Sequence, residues 1–361
     1  MCRPCIFAVK SARLCHQTLD LGAFIAYCGI ETLFMPVELQ TNSASDDIIL
    51  YDIPLPLRAT LFPLGFPLEL ATNSAVVIAA AIESWSSFEA AHPETPISFS
   101  LAVTEYDDER LPPRPKFRSH RHMMSIVSDA QNNVICDFSL NCASGWITRR
   151  VAENAGFLRL HFLEASVMSV LVAAHLAPMH GALVSRRGVG VALCGDSFAG
   201  KSTLAYACAR NGWTFVSDDG TFLLRSRTDR YAVGNPHNIR FREDAKFLFP
   251  ELADNKVARR HNGALGIEVR TSELPISTAG GCSIDHLVFL RRSRSGRPSM
   301  NRLEASEARH WLGKATLYGP EEVRVSQRLA YRRLLDASLW ELHYSELPDA
   351  VEMLEQLGAV A

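Results

Sequence analysis

Residues 194–209, CGDSFAGKSTLAYACA, decide how this chain is read. Gly195, Gly200, Lys201 and Ser202 form a GxxxxGKS pattern. The apolar run GVGVALC (188–194) leads into it as a strand, and STLAYACARNG (202–212) follows as a helix that stops at Gly212. A polyphosphate carries several negative charges and needs donors close to its oxygens. Glycines let main-chain N–H groups curl around such an anion, and the helix N-terminus adds partial positive charge. Lys201 would reach the outer phosphates and Ser202 would ligate magnesium. A chain of this length meets the pattern by chance about once in a hundred. The strand before and the helix after it make a nucleotide site the stronger expectation.

Two carboxylates follow. WTFVSDD (213–219) reads as a strand that ends in Asp218 and Asp219, 17 and 18 residues beyond Lys201. A strand beside the loop strand ends near the phosphates. One acid there can hold magnesium and the other can take a proton from an attacking hydroxyl. The plainer alternative is that SDDG is only a turn, which Asp and Gly favour. Upstream, GALVSRRGVGVALCG (181–195) reads as a hairpin turning at Arg186-Arg187-Gly188, so His180 and Gly195 should meet at the same end. That places an imidazole near the outermost phosphate, against the alternative of a packed or solvated histidine.

Bulk properties narrow the rest. The 361 residues suit two domains, or one large domain with an appendage. Lys plus Arg number 37 against 39 Asp plus Glu, so overall charge argues for neither nucleic acid nor an anionic membrane as partner. Nine scattered cysteines, an odd number, fit reduced thiols in a cytoplasmic protein better than a disulfide framework. Cys2 and Cys5 form a CxxC with no second pair at zinc-ribbon spacing. Lys10 and Arg13 before LGAFIAYCGI (21–30) resemble a secretory leader, but Glu31 follows at once. Residues 1–35 are expected to be a poorly ordered extension, with Met35 as an alternative start. ASVMSVLVAAHLAP (165–178) is too short for a membrane span and reads as a buried helix.

Along the chain, 48–57 reads as a strand, 73–91 as a helix capped by Asn73, and 97–106 as a strand. The Pro-rich basic stretch 110–122 reads as a loop, 122–140 as two strands about a turn at 131–133, and 157–176 as a core helix. Later come a strand at 285–292, a helix at 319–338, a strand at 340–345 and a helix at 347–358. Alternating strands and helices predict an α/β fold. The expected division is an extension at 1–35, an α+β region at 36–156 and a phosphate-loop domain at 157–361.

MHGALV (179–184), GVGVALCGDSFAGKST (188–203) and FVSDD (215–219) together resemble the catalytic domain of HPr kinase/phosphorylase. That family carries an HG strand, a GxSGxGKS loop and an ADD in this order and spacing. The close match covers residues 179–224, and VGNPHNIRFREDAKFLFPEL (233–252) resembles a segment of divergent members. The resemblance implies a P-loop kinase on a phosphoenolpyruvate-carboxykinase-like core that uses ATP and Mg²⁺ to phosphorylate a serine. It implies Asp218 as general base, Asp219 with Ser202 at the magnesium, and His180 and Lys201 in the catalytic site. Gly195, Asp196, Ser197, Phe198, Ala199, Gly200, Lys201, Ser202 and Thr203 would form the nucleotide site.

Two departures stand out. Phe198 occupies a position where that family has glycine, so its ring must point away from the phosphates. The family's later PGRN-like segment has no counterpart, which directs attention from HPr itself to another protein, peptide or small-molecule acceptor. A nucleotide-binding sensor without chemistry is the alternative. Arg240 and Arg242 alternate on IRFR and would face a phosphate, an acceptor or solvent; Glu268 is a further metal candidate. RRSRSGRPSMNR (291–302) holds five arginines and reads as a wet loop, with docking an acidic acceptor or covering a nucleotide as alternatives. Residues 36–156 would recognise a substrate or join copies into a homo-oligomer.

Overall fold

The structure, a computed structural model, describes residues 53–105, 110–259, 265–313 and 317–357. The expectations for residues 1–35, including the CxxC and the leader-like run, lie outside the described residues. It is a mixed α/β fold with several sheets.

The first sheet has seven strands: β1 (Leu57–Leu61), β2 (Leu68–Thr72), β3 (Ile97–Thr104), β4 (Lys116–His120), β5 (Met123–Val127), β6 (Asn133–Asp137) and β7 (Cys142–Thr148). Their spatial order is β1-β2-β3-β7-β6-β5-β4. Helix α1 (Ala75–Trp85) makes the crossover that lets β2 and β3 run parallel. Three details differ from the sequence reading. Of the strand expected at 48–57, residues 48–52 lie outside the described residues; Ile53–Pro56 are not strand and pairing with β2 begins at Leu57, after the prolines, because proline lacks the N–H that a ladder needs. Asn73 is not the helix cap; its amide group exchanges two hydrogen bonds with the Val103 backbone, at 2.7 and 2.9 Å, like an added strand residue. Lys116–His120 is a strand rather than loop, exposed along its whole length at the sheet edge.

Helix α2 (Ala155–Ala174) packs on β3, β6 and β7, and contains a wider π-helical stretch at Arg159–Glu164. It has the length and apolarity of a membrane span, yet most of its apolar window is buried inside the fold. Asn154 caps it, accepting the Phe157 N–H at 3.0 Å.

The second sheet holds the loop. It contains β9 (Ala182–Arg186), β10 (Val189–Cys194), β11 (Thr214–Ser217), β17 (Ser277–Thr278), β19 (His286–Arg292), β20 (Ser299–Arg302) and β21 (Ser338–Tyr344). The order is β17-β11-β9-β10-β19-β21-β20. β10 is parallel to β19, which is parallel to β21, while β9 runs antiparallel to both β10 and β11. The carboxyl ends of β10, β11, β19 and β21 therefore share one edge, where α/β sheets bind ligands. The β9–β10 hairpin turns at Arg187 and Gly188, both left-handed at φ 51° and 84°, the geometry that matches strand twist.

Alternation along β10 shows how the sheet is sandwiched. Val191 and Leu193 point into a core with α3 (Lys201–Arg210) and α6 (Leu347–Glu355), built around Leu204, Tyr206, Trp213 and Phe215. Ala192 and Cys194 point into an opposite core with Leu223, Phe289 and Tyr331. A four-stranded sheet covers that second face: β8 (Leu176–His180), β12 (Gly220–Leu224), β13 (Tyr231–Gly234) and β18 (Gly281–Ser283), in the order β18-β13-β12-β8. Helix α4 (Ala305–Leu312) adds Ala308 to that core, and helix α5 (Glu321–Arg333) packs beside β8. A small three-stranded sheet pairs β14 (Asn238–Phe241) with β16 (Leu265–Arg270), and β16 with β15 (Ala258–Arg259).

Candidate functional site

The loop 195–200 closes between β10 and α3 through two left-handed glycines, Gly195 at φ 146° and Gly200 at φ 94°. Gly200 has a second reason to lack a side chain: a Cβ there would lie 2.5 Å from the Tyr344 hydroxyl. That hydroxyl donates to the Ala199 carbonyl at 2.8 Å and fastens the loop to the end of β21. The Lys201 ammonium is largely buried and donates to the carbonyls of Gly195 at 3.0 Å and Asp196 at 3.1 Å. Desolvation holds its pKa below the usual lysine value, with nearby Asp219 pulling the other way.

The two acids arrive by strand pairing. β11 ends at Ser217, and its hydroxyl shares a 2.6 Å hydrogen bond with Thr221, which in turn donates to the Gly181 carbonyl at 2.8 Å. This buried chain clamps the Asp218-Asp219 turn against the start of β9. β8 and β12 pair with His180 opposite Gly220, which sets His180 next to Asp219. Their separation is 2.8 Å, Nδ1 to Oδ1. Nδ1 carries the proton it donates, so a neutral ring keeps Nε2 as acceptor.

The environments of the acids push them apart. Asp218 is buried, and burial raises its carboxyl to about 6; the Arg240 amide, donating at 2.8 Å, opposes this, and the charge of Asp219 adds to it. Asp219 is mostly exposed and lies below the usual carboxylate range, first because of the His180 hydrogen bond and then because of His180 and Lys201 charge. One acid is thus suited to exchange a proton near neutrality and the other to stay ionised as an oxygen ligand. The structure brings together Lys201, Asp219 and His180, with Asp218 adjoining. Ser202 and Thr203 open α3 directly after the lysine.

The remaining sequence candidates divide. Arg240 pairs with Glu268 across β14–β16, Nε to Oε2 3.3 Å, so that carboxylate already has a cation as partner. Arg242 leaves β14 in another direction and lays its guanidinium 3.4 Å from the centre of the Phe198 ring. Phe198 itself is left-handed at φ 76°, which costs a residue with a Cβ about 1–2 kcal/mol. Its ring is 73% exposed and turned outward. Among the described residues there is no group of three or more His, Cys, Asp or Glu side chains placed to hold a metal unaided. Asp219 and the Ser202 hydroxyl are hard oxygen donors that fit Mg²⁺ when substrate phosphates complete its shell.

Several participants carried no signal in the sequence. Tyr344 lies 144 residues beyond the glycine it excludes a side chain from. Glu164 of α2 contributes negative charge near Arg240 and accepts from Ser84 of α1 at 2.9 Å. Phe88 meets His237 edge-on, centroids 4.5 Å apart, which brings the segment after α1 against the approach to β14.

No protein-family model matches the chain, and no curated protein matches it. Among solved structures, it is similar to the HPr(Ser) kinase/phosphatase from Coxiella burnetii, with 12% identity, a TM-score of 0.27, and coverage of 51% of this chain and 99% of that one.

Proposed function

We propose that this chain is an ATP- and Mg²⁺-dependent kinase that transfers the γ-phosphate to a serine-type hydroxyl of a protein, peptide or small molecule. One observation carries the reading: buried Asp218 and exposed Asp219, the latter 2.8 Å from His180, follow β11 at the sheet edge where the GxxxxGKS loop presents Lys201. The order of motifs in the sequence supports the same reading. The loop amides would hold the polyphosphate, and Lys201 would exchange its two carbonyl partners for phosphate oxygens. Mg²⁺ bound through Ser202 and Asp219 would neutralise charge on the phosphate oxygens. Asp218, ionised, takes the proton of the acceptor hydroxyl. The hydroxyl oxygen then bonds to the γ-phosphorus as its bond to the β–γ bridging oxygen breaks, and ADP departs with that electron pair. Positioning and charge neutralisation supply the acceleration. His180 acts on Asp219 through its hydrogen bond and is a positioning residue in this scheme.

A second reading, a nucleotide sensor without transfer, draws on Lys201 being satisfied by its own loop, so that binding a nucleotide would rearrange the loop. Calorimetry with Mg·ATP combined with γ-labelled ATP in lysate of the source cell separates the two. Label that appears on an acceptor and vanishes with Asp218→Asn supports the kinase. Tight binding with no labelled acceptor supports the sensor, and no binding removes both.

A further inference from the structure

The acids lie on the β11 side of the loop. If the outermost phosphate faces them, the rest of a nucleotide must leave over the other side, toward β19 and β21. A shallow recess of about 390 Å³ lies there, lined by Phe198, Arg292, Ser293, Arg294, Ser345 and Glu346. Its residues come from the loop itself and from the ends of β19 and β21.

Phe198 is the unusual member. It holds a left-handed backbone conformation that glycine would adopt without strain, and it exposes an aromatic ring to water. Both features are unfavourable for folding, and the ring's main partner is the Arg242 guanidinium over one face. Arg242 does not line the recess, whereas Phe198 does. An exposed aromatic ring that carries a cation over one face and lines a recess beside a phosphate loop suits a flat heteroaromatic group.

We infer that the Phe198 ring, backed by Arg242, is the stacking platform for the base of the nucleotide held by the loop, with Arg292, Arg294 and Ser345 lining the space for its nucleoside half. This rests on the nucleotide-binding reading above and adds a chain-specific base site to it. The strained backbone is then retained because it aims the ring outward over the recess instead of into the cradle.

Calorimetry with two probes tests it: Mg·ATP, and Mg·tripolyphosphate, which has the charge but no base. The wild-type protein should prefer ATP. Phe198→Gly should lower that preference about tenfold, within the range for aromatic–base stacking, and Phe198→Trp should restore it. The tripolyphosphate arm also reports whether the loop of each variant still forms. If Phe198→Gly changes both affinities equally, or binds ATP more tightly, the platform is overturned while the phosphate loop stands. If the wild-type protein binds tripolyphosphate as well as ATP, the platform is likewise overturned. If it binds neither, the nucleotide reading falls and the platform with it.

Discussion

The Tyr344 hydroxyl, donating to the Ala199 carbonyl at 2.8 Å, also occupies the space where a side chain on Gly200 would go. The loop is therefore shaped from two sides, by its own glycines and by a tyrosine on the last strand. Tyr344→Phe leaves a carbonyl unpaired and should destabilise the protein by about 1 kcal/mol, with a several-fold loss of ATP affinity. Gly200→Ala adds a clash to the strain of φ 94° and should abolish ATP binding. In a Tyr344→Phe background the clash is relieved and the strain is not. Thermal melts of the two single variants and the double variant should show a smaller cost for the alanine in that background.

Asp218 gives a pH prediction with a definite sign. Its folded pKa of about 6 lies above the unfolded carboxylate value, because burial penalises the charge. As the base it must be ionised, so transfer should rise with pH and reach half its plateau near 6. Stability runs the other way. The contribution of the protonated form is fully present below about pH 4 and is lost as pH rises through about 6. At pH 7.5 the buried charge costs the fold about 2–3 kcal/mol. Asp218→Asn should abolish transfer, keep ATP affinity, and melt at higher temperature than wild type at pH 7.5. That thermal advantage should shrink at pH 4.5; an advantage independent of pH would contradict the assignment of the raised pKa.

Lys201 is held by two loop carbonyls, so its removal reads both on binding and on the loop. Lys201→Ala should lower ATP affinity by at least about a hundredfold, the loss of a charge-assisted contact in a partly desolvated site. Folding stability should change by less than about 1 kcal/mol, since burying the ammonium is itself unfavourable. Calorimetry and chemical denaturation on the same preparation measure both.

The loop, the β9–β10 hairpin and the strand that leads into the Asp218-Asp219 turn are carried by local chemistry: glycines at left-handed positions, an apolar run, an abrupt polar stop. They were legible for that reason. The pairing of β8 with β12 was not, because Pro178 masks β8 as a strand and Gly220 reads as the end of a turn. That pairing is what delivers His180 to Asp219. The edge strand Lys116–His120 hides behind a basic, fully exposed sequence whose only strand cue is its partner β5. Phe198 showed that a glycine was missing, but the direction of its ring depends on Arg242, 44 residues away just beyond β14. Contacts of that separation leave no pattern in a single sequence.

Glu268 tests how far the metal site extends. In sequence it is a further metal candidate; in the fold it faces Arg240 at 3.3 Å, with both side chains about half exposed, 48% and 49%. A half-exposed pair of this kind contributes at most about 1 kcal/mol. Glu268→Gln should therefore leave the magnesium dependence of transfer unchanged and barely move the melting temperature. Asp219→Asn, by contrast, should raise the magnesium concentration needed for half-maximal transfer by about tenfold or more. A magnesium titration of both variants distinguishes a metal bound through Ser202 and Asp219 from one shared with Glu268. A shift in the Glu268→Gln curve as large as in the Asp219→Asn curve would move the metal toward β16 and away from the phosphate loop.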